Sequence, residues 1–381
     1  MTSTSGPPAD LRLQRSSRDA AGTERLLQDW LSGALPPGSR PTLSLLSGVD
    51  ANGMSSETLV LDATWREGGE QRVGRYVARV APAAEDFPVF PRYELREQYD
   101  VMRLVGEVTD VPVPQVGLIE PTGTVLGTPF FLMDRVEGVI PPDVLPYNFG
   151  DSWVHDATPE QQARLRDSSV AVLAGLHAIR DATTTFEFLD PARHGHDGET
   201  LLQRDLARTK AWYGYAAADI GRSPLAERAL AWLEANVPET DPIDDVLCWG
   251  DARIGNMIYR DFEPVAVLDW EMACLGPREL DVSWMVFAHR VFESIAAALE
   301  LPGMPDFLRE EDVVATYEEL SGARLCDLTW YHVYNGLQWC IVFMRTGARQ
   351  IHFGEIERPD EVDSLMHCGP LMAQILDEVG A

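Results

Sequence analysis

Two short stretches of the chain carry residue types suited to chemistry. The first runs Cys248-Trp249-Gly250-Asp251-Ala252-Arg253-Ile254-Gly255-Asn256, the second Val267-Leu268-Asp269-Trp270-Glu271. An aspartate leaves a strand into a loop, an asparagine follows five residues later, and a second aspartate ends a hairpin strand. Phosphoryl transfer uses such parts. One carboxylate accepts or orients the proton of an attacking hydroxyl, while a second carboxylate and an amide oxygen hold Mg²⁺ on the phosphates. Magnesium keeps several waters and phosphate oxygens, so a sparse Asp-plus-Asn donor set suffices.

The elements that must carry these side chains are read from periodicity and turn residues. Residues 1–18 are rich in Ser, Pro and Arg without a pattern, and Thr23 is placed to cap a helix bearing Leu26, Leu27, Trp30 and Leu31. Strands are expected at 44–47, 57–65 and 75–80, then a helix from about Tyr93 with Leu95, Tyr99, Met102, Leu104 and Val105 as its apolar stripe. Two more strands are expected at 115–119 and 130–135. Beyond Gly138 the pattern turns helical, at 159–180, 199–217 and 224–236, with strand pieces and a hairpin returning over 246–269 and helices again from Asp281. This divides the chain into a tail and helix (1–39), a β-rich unit (40–136) and a mainly helical unit (137–381).

Composition narrows the partners. Thirty-one Lys+Arg against 60 Asp+Glu leave a net charge of −29, which opposes binding to nucleic acid or to an anionic membrane. Lys210 is the chain's one lysine, so Schiff-base chemistry elsewhere and a Walker-type G-K-[ST] loop are excluded. Five cysteines without C-x-x-C spacing read as free thiols of a reducing compartment. The polar start and the lack of an 18-residue apolar run agree with a cytoplasmic expectation.

The order of these motifs over about residues 43–290 resembles the aminoglycoside phosphotransferase-like small-molecule kinases, above all their actinobacterial members. The resemblance implies an α+β, bilobal protein-kinase-like fold, with a small β-rich lobe holding one main helix and a large, mainly helical lobe. It implies ATP as donor, with GTP as the alternative nucleotide, and Mg²⁺. Asp251 would be the catalytic base, and Asn256 and Asp269 the metal ligands. Arg79 stands where the family has a phosphate-binding lysine, and keeps its charge in a broader, planar fork. Val77 should share its face of the strand and Ala78 the other. Its expected acidic partner is Glu97, with Glu94 as runner-up. Met133, Asp134, Arg135 and Val136 match the hinge that would hold adenine. Gly48–Glu57 stands where the phosphate-covering loop would be, with Ser55 and Ser56 as donors, although its sequence reads equally as a plain turn.

A second departure from the family is Trp249, in place of the usual histidine, and packing is expected of it. Asp281 would brace the catalytic loop, and His177 reads as a packed histidine. The set Trp330, Tyr331, Tyr334, Trp339 and Phe343 reads as core, and Glu355, Glu357 and Asp360 as a solvated acidic loop. The implied function is ATP- and Mg²⁺-dependent phosphorylation of a small-molecule hydroxyl. A cationic aminoglycoside suits the acidic chain and would make this an antibiotic-resistance activity; a choline-like amine or a hydroxyacyl thioester is the alternative acceptor. The missing lysine and histidine leave a rival, a catalytically weak nucleotide-binding regulatory protein. Oligomeric state is open.

Overall fold

Alternation along residues 57–80 sends successive side chains to opposite faces of a sheet. The computed structural model describes residues 20–46, 56–143 and 146–381. Helix α1 (Ala20–Ala34) precedes an antiparallel meander of β1 (Thr42–Leu46), β2 (Glu57–Glu67) and β3 (Glu70–Val80). Helix α2 (Leu95–Val108) then leads to β4 (Val116–Glu120) and β5 (Phe130–Asp134), giving a sheet of order β1-β2-β3-β5-β4.

The two sheet faces have different partners. Leu61, Ala63, Ala78, Val80, Phe130 and Leu132 pack beneath Leu27 and Leu31 of α1. Across the β3/β5 register Ala78 opposes Leu132 while Val77 and Arg79 oppose Met133 and Phe131. The latter pair lie on the other face, among Leu95, Val101, Met102 and Val105 of α2. Arg79 and Val77 therefore share one face, and Ala78 the other. Thr23, expected as a cap, lies buried within α1, because Ala20 and Ala21 are strong helix formers and extend the helix backwards.

The remainder is mainly helical. It begins with α3 (Pro159–His177), opened by a capping box in which Thr158 and Gln161 satisfy each other's backbone N–H groups. A short α4 (Ala182–Thr185), α5 (Leu201–Ile220) and α6 (Pro224–Ala235) follow. Then come β6 (Asp245–Cys248), the hairpin β7 (Met257–Arg260) and β8 (Glu263–Val267), and β9 (Cys274–Pro277). The last helices are α7 (Glu279–Ala298), α8 (Glu310–Ser321), α9 (Thr329–His352) and α10 (Gly369–Glu378). Strand β9 had no signal in the sequence. Its Cys-Leu-Gly-Pro is extended only because β6 pairs with it, Cys248 opposite Cys274. On α9, Trp330, Tyr331 and Tyr334 are core, whereas Trp339 and Phe343 are half-buried. Among the described residues no helix is long and apolar enough to cross a membrane.

Candidate active site

The loop after β6 is built around one glycine. Gly250 has φ +89°, a region that favours glycine, and a Cβ there would collide with the Met272 carbonyl. The turn carries Asp251 away from the strand. Asp281, in the first turn of α7, fixes it from below: Trp249 N–H donates to its Oδ2 at 2.7 Å and Gly250 N–H to its Oδ1 at 2.8 Å. His177 Nε2 lies 3.1 Å from Oδ2, and its other ring nitrogen meets Tyr317 Oη at 2.8 Å. The bracing expected of Asp281 and the packing expected of His177 are both visible. Cys248 adjoins this pair in a buried group whose ligand types suit a metal, but Asp281 is committed to N–H donors.

Trp249 is fully buried, as expected, and it does more than pack. Its indole N–H donates to Leu268 O at 2.8 Å and Asp269 O at 3.2 Å. Leu268 N–H in turn donates to Asn256 O at 2.9 Å. The two motif segments are thereby tied together, and Asp269 is held at φ +54°, a conformation that few non-glycine residues adopt.

Within this frame Asp251 Oδ1 accepts from Trp284 Nε1 at 2.8 Å and from Arg253 Nε at 3.0 Å. A second Arg253 nitrogen pairs with Asp143. Burial pushes the Asp251 carboxyl above the usual carboxylate range; Arg253 opposes this and Asp269 adds to it. Asn256 donates from Nδ2 to Asp251 O at 3.1 Å, which leaves its amide oxygen as the group to offer a ligand. An amide oxygen and the Asp269 carboxylate are hard donors of the kind Mg²⁺ takes, so these residues fit that ion.

Arg79 enters from β3. Its Nη2 pairs with Asp269 and, at 3.0 Å, with Glu271 Oε2. Tyr93 Oη also donates to Glu271 Oε2, at 2.7 Å. Burial works against the Arg79 charge, yet Asp269, Tyr93 and Glu271 hold its pKa above that of an ordinary arginine.

The expected Arg79–Glu97 pair is therefore corrected. Helix α2 buries Leu95, Gln98, Val101, Met102 and Val105, which turns Glu97 off that face. Its Oε1 lies 3.3 Å from His194 Nε2, and burial followed by Glu94 pushes its carboxyl up to about 7. Glu94 pairs with Arg92. Ser55, like most of the Gly48–Glu57 loop, lies outside the described residues; Ser56 is buried. In the hinge segment Met133 is buried, Asp134 N–H donates to Gln115 O and Arg135 N–H to Arg75 O, both at 2.9 Å. The Arg135 side chain pairs with Asp62 at 2.9 Å.

Sequence reasoning passed over Glu271, Tyr93, Arg253, Trp284 and Asp143. Glu271 and Arg253 stood inside the two motif stretches, two residues after an aspartate each. Trp284, Tyr93 and Asp143 come from elements distant in sequence and carried no signal.

Residues 60–310 match the model of the phosphotransferase enzyme family. Among curated proteins, the Arabidopsis thaliana protein named probable acyl-CoA dehydrogenase IBR3 is 25% identical over 269 residues, 67% of this chain and 30% of that protein. Acyl-CoA dehydrogenase family member 11 of Gallus gallus is 28% identical over 283 residues, 73% of this chain and 32% of that protein. The chain thus spans about a third of the length of these relatives. Among solved structures, a Ralstonia eutropha protein assigned as an aminoglycoside phosphotransferase has 20% identity and a TM-score of 0.62, covering 93% of this chain and 97% of that one. Macrolide 2'-phosphotransferase MphH of Brachybacterium faecium has 17% identity and a TM-score of 0.51, covering 89% and 97%. A thermostable mutant of aminoglycoside phosphotransferase APH(4)-Ia, in ternary complex with ADP and hygromycin B, has 16% identity and a TM-score of 0.51, covering 93% and 99%. At such identities the likeness is one of fold, and the fold is the expected protein-kinase-like α+β one.

Proposed function

We propose a definite reaction for this chain, which belongs to the phosphotransferase enzyme family: Mg²⁺-dependent transfer of the γ-phosphoryl group of ATP to a hydroxyl of a small molecule. The observation that carries it is the seating of Asp251. One carboxylate oxygen is held by Trp284 and Arg253, which leaves Oδ2 to take the proton of an acceptor hydroxyl as it attacks. Burial, by raising the carboxyl's pKa, makes it the stronger base.

Asn256 and Asp269 would hold Mg²⁺, which neutralises charge on the phosphate oxygens. Arg79 supplies a second cation for those oxygens, and Arg253, already beside Asp251, a third. In the hinge, Asp134 and Arg135 have spent their N–H groups, so adenine would be recognised by Val136 N–H. The lobes on this reading are 40–136 and 137–381.

For the acceptor, the curated relatives favour a hydroxyacyl thioester, since they are named as acyl-CoA dehydrogenases and share more identity with this chain than the solved phosphotransferases do. The test is a panel of hydroxyacyl-CoA thioesters, aminoglycosides and choline with labelled ATP and Mg²⁺. Phosphate found only on a thioester supports this acceptor, and phosphate on an aminoglycoside overturns it. ATP binding without transfer to any compound supports the regulatory rival.

A further inference from the structure

We infer that Glu271, and not a carboxylate of α2, is the positioning residue for Arg79, holding its guanidinium in the cleft when Asp269 turns to the metal. This rests on the kinase reading above. Two carboxylates share one nitrogen of Arg79, Asp269 and Glu271 both meeting Nη2. They are not equivalent. Asp269 is the metal's carboxylate on that reading, and an oxygen engaged with Mg²⁺ cannot hold a guanidinium as firmly. Glu271 has another anchor, the Tyr93 hydroxyl at 2.7 Å. Tyr93 lies just before α2, and its hydroxyl meets the same Glu271 oxygen, Oε2, that Arg79 meets. The Glu271 and Arg79 side chains are each 10% exposed against 21% for Asp269, so water competes least for their contact.

The backbone keeps Glu271 in place as well. Trp270, between the two carboxylates, is buried and donates from its indole to Val267 O at 3.0 Å. One anchored segment therefore carries both the metal's carboxylate and the clamp's partner. Because both carboxylates use Nη2, Arg79 Nε and Nη1 can turn to phosphate while Glu271 keeps its hold, a division of labour that a planar, multi-donor guanidinium allows and a lysine does not. The α2 glutamate could not serve here, since the buried face of α2 turns Glu97 away, toward His194.

The test is calorimetric titration of ATP into the whole chain, first with EDTA and then with Mg²⁺. Wild type is compared with Arg79→Ala, Glu271→Gln, Tyr93→Phe and the double variant Arg79→Ala/Glu271→Gln. With Mg²⁺, Glu271→Gln should weaken ATP binding about 5- to 10-fold, as lost charge-assisted hydrogen bonds do, and less with EDTA, where Asp269 still holds Arg79; in both buffers the double variant should be no weaker than Arg79→Ala alone. Tyr93→Phe should show about a 2- to 3-fold loss, also absent once Arg79 is gone, and it keeps the inference testable if Glu271→Gln does not fold. A Glu271→Gln effect additive with Arg79→Ala would overturn the inference, and one that is additive only with Mg²⁺ would make Glu271 a metal ligand instead. Tighter metal-free binding would overturn it too, since Glu271 would then be competing with phosphate. Failure of wild type to bind ATP in either buffer rejects the kinase reading itself.

Discussion

Trp249→Phe isolates one bond between the two motif segments. The indole N–H serves Leu268 O and Asp269 O, and phenylalanine keeps the aromatic body while removing the donor. Two carbonyls then lose their shared partner in a site where Trp249 is fully buried. An acceptor left unsatisfied costs ~1–3 kcal/mol. The smaller ring leaves roughly 40 Å³, which at ~24 cal/mol per Å³ adds ~1 kcal/mol. The expected loss of stability is therefore ~2–4 kcal/mol, read as a lowered urea midpoint at unchanged slope. The consequence for function is more specific. Asp269 sits at φ +54°, and an uncommon backbone conformation of this kind persists only where its surroundings impose it, against a strain of ~1–3 kcal/mol. Without the indole N–H, Asp269 relaxes, and affinity for ATP with Mg²⁺ should fall about tenfold, equivalent to ~1.4 kcal/mol, while metal-free ATP affinity changes little. Titration calorimetry with and without Mg²⁺ measures both. If Trp249→Phe loses stability yet binds ATP with Mg²⁺ as wild type does, Trp249 is core alone and the reasoning about Asp269 fails.

Asp251→Asn should lower turnover about 10²- to 10⁴-fold with little change in ATP affinity; steady-state kinetics on the acceptor found by the panel decides, and a loss confined to KM would reject Asp251 as base. Gly250→Ala should cost ~3 kcal/mol or more, since it combines an unfavourable φ with a clash at the Met272 carbonyl; a variant with the wild-type urea midpoint would contradict the tight turn. Glu97→Gln should stabilise the protein in a pH-dependent way. Its carboxyl moves from an ordinary 4.5 up to about 7 on folding, so the folded state favours the protonated form. The resulting penalty is absent below pH 4.5, grows as pH rises to 7 and is complete above it. The glutamine should thus match wild type at acid pH and gain ~1–3 kcal/mol at alkaline pH, the upper value being the full shift and the lower allowing for remaining exposure. An equal gain at both pH values would show that burial of the charge is not the cause.

Much of this protein follows from its sequence because the deciding interactions are local. Asp251, Asn256 and Asp269 fall within 19 residues on a loop and hairpin, so strand periodicity and turn residues suffice to bring them together. Alternation along β3 sends Arg79 and Val77 to one face and Ala78 to the other, whatever lies beyond the sheet. Tertiary structure alone decided which partners meet them. Arg79 and Glu271 are 192 residues apart, and Trp284 reaches Asp251 across 33. On α2, both Gln98 and Glu97 were available to face the sheet. The rotation was settled by burying Leu95, Val101, Met102 and Val105 together, and that put Glu97 beside His194 and left Arg79 to Glu271. Strand β9 likewise became a strand only when β6 supplied its hydrogen bonds. Local periodicity fixes what an element is and which of its residues share a face. The rotation of that face, and the partner it finds, depend on apolar burial summed over distant parts of the chain, which no stretch of sequence contains.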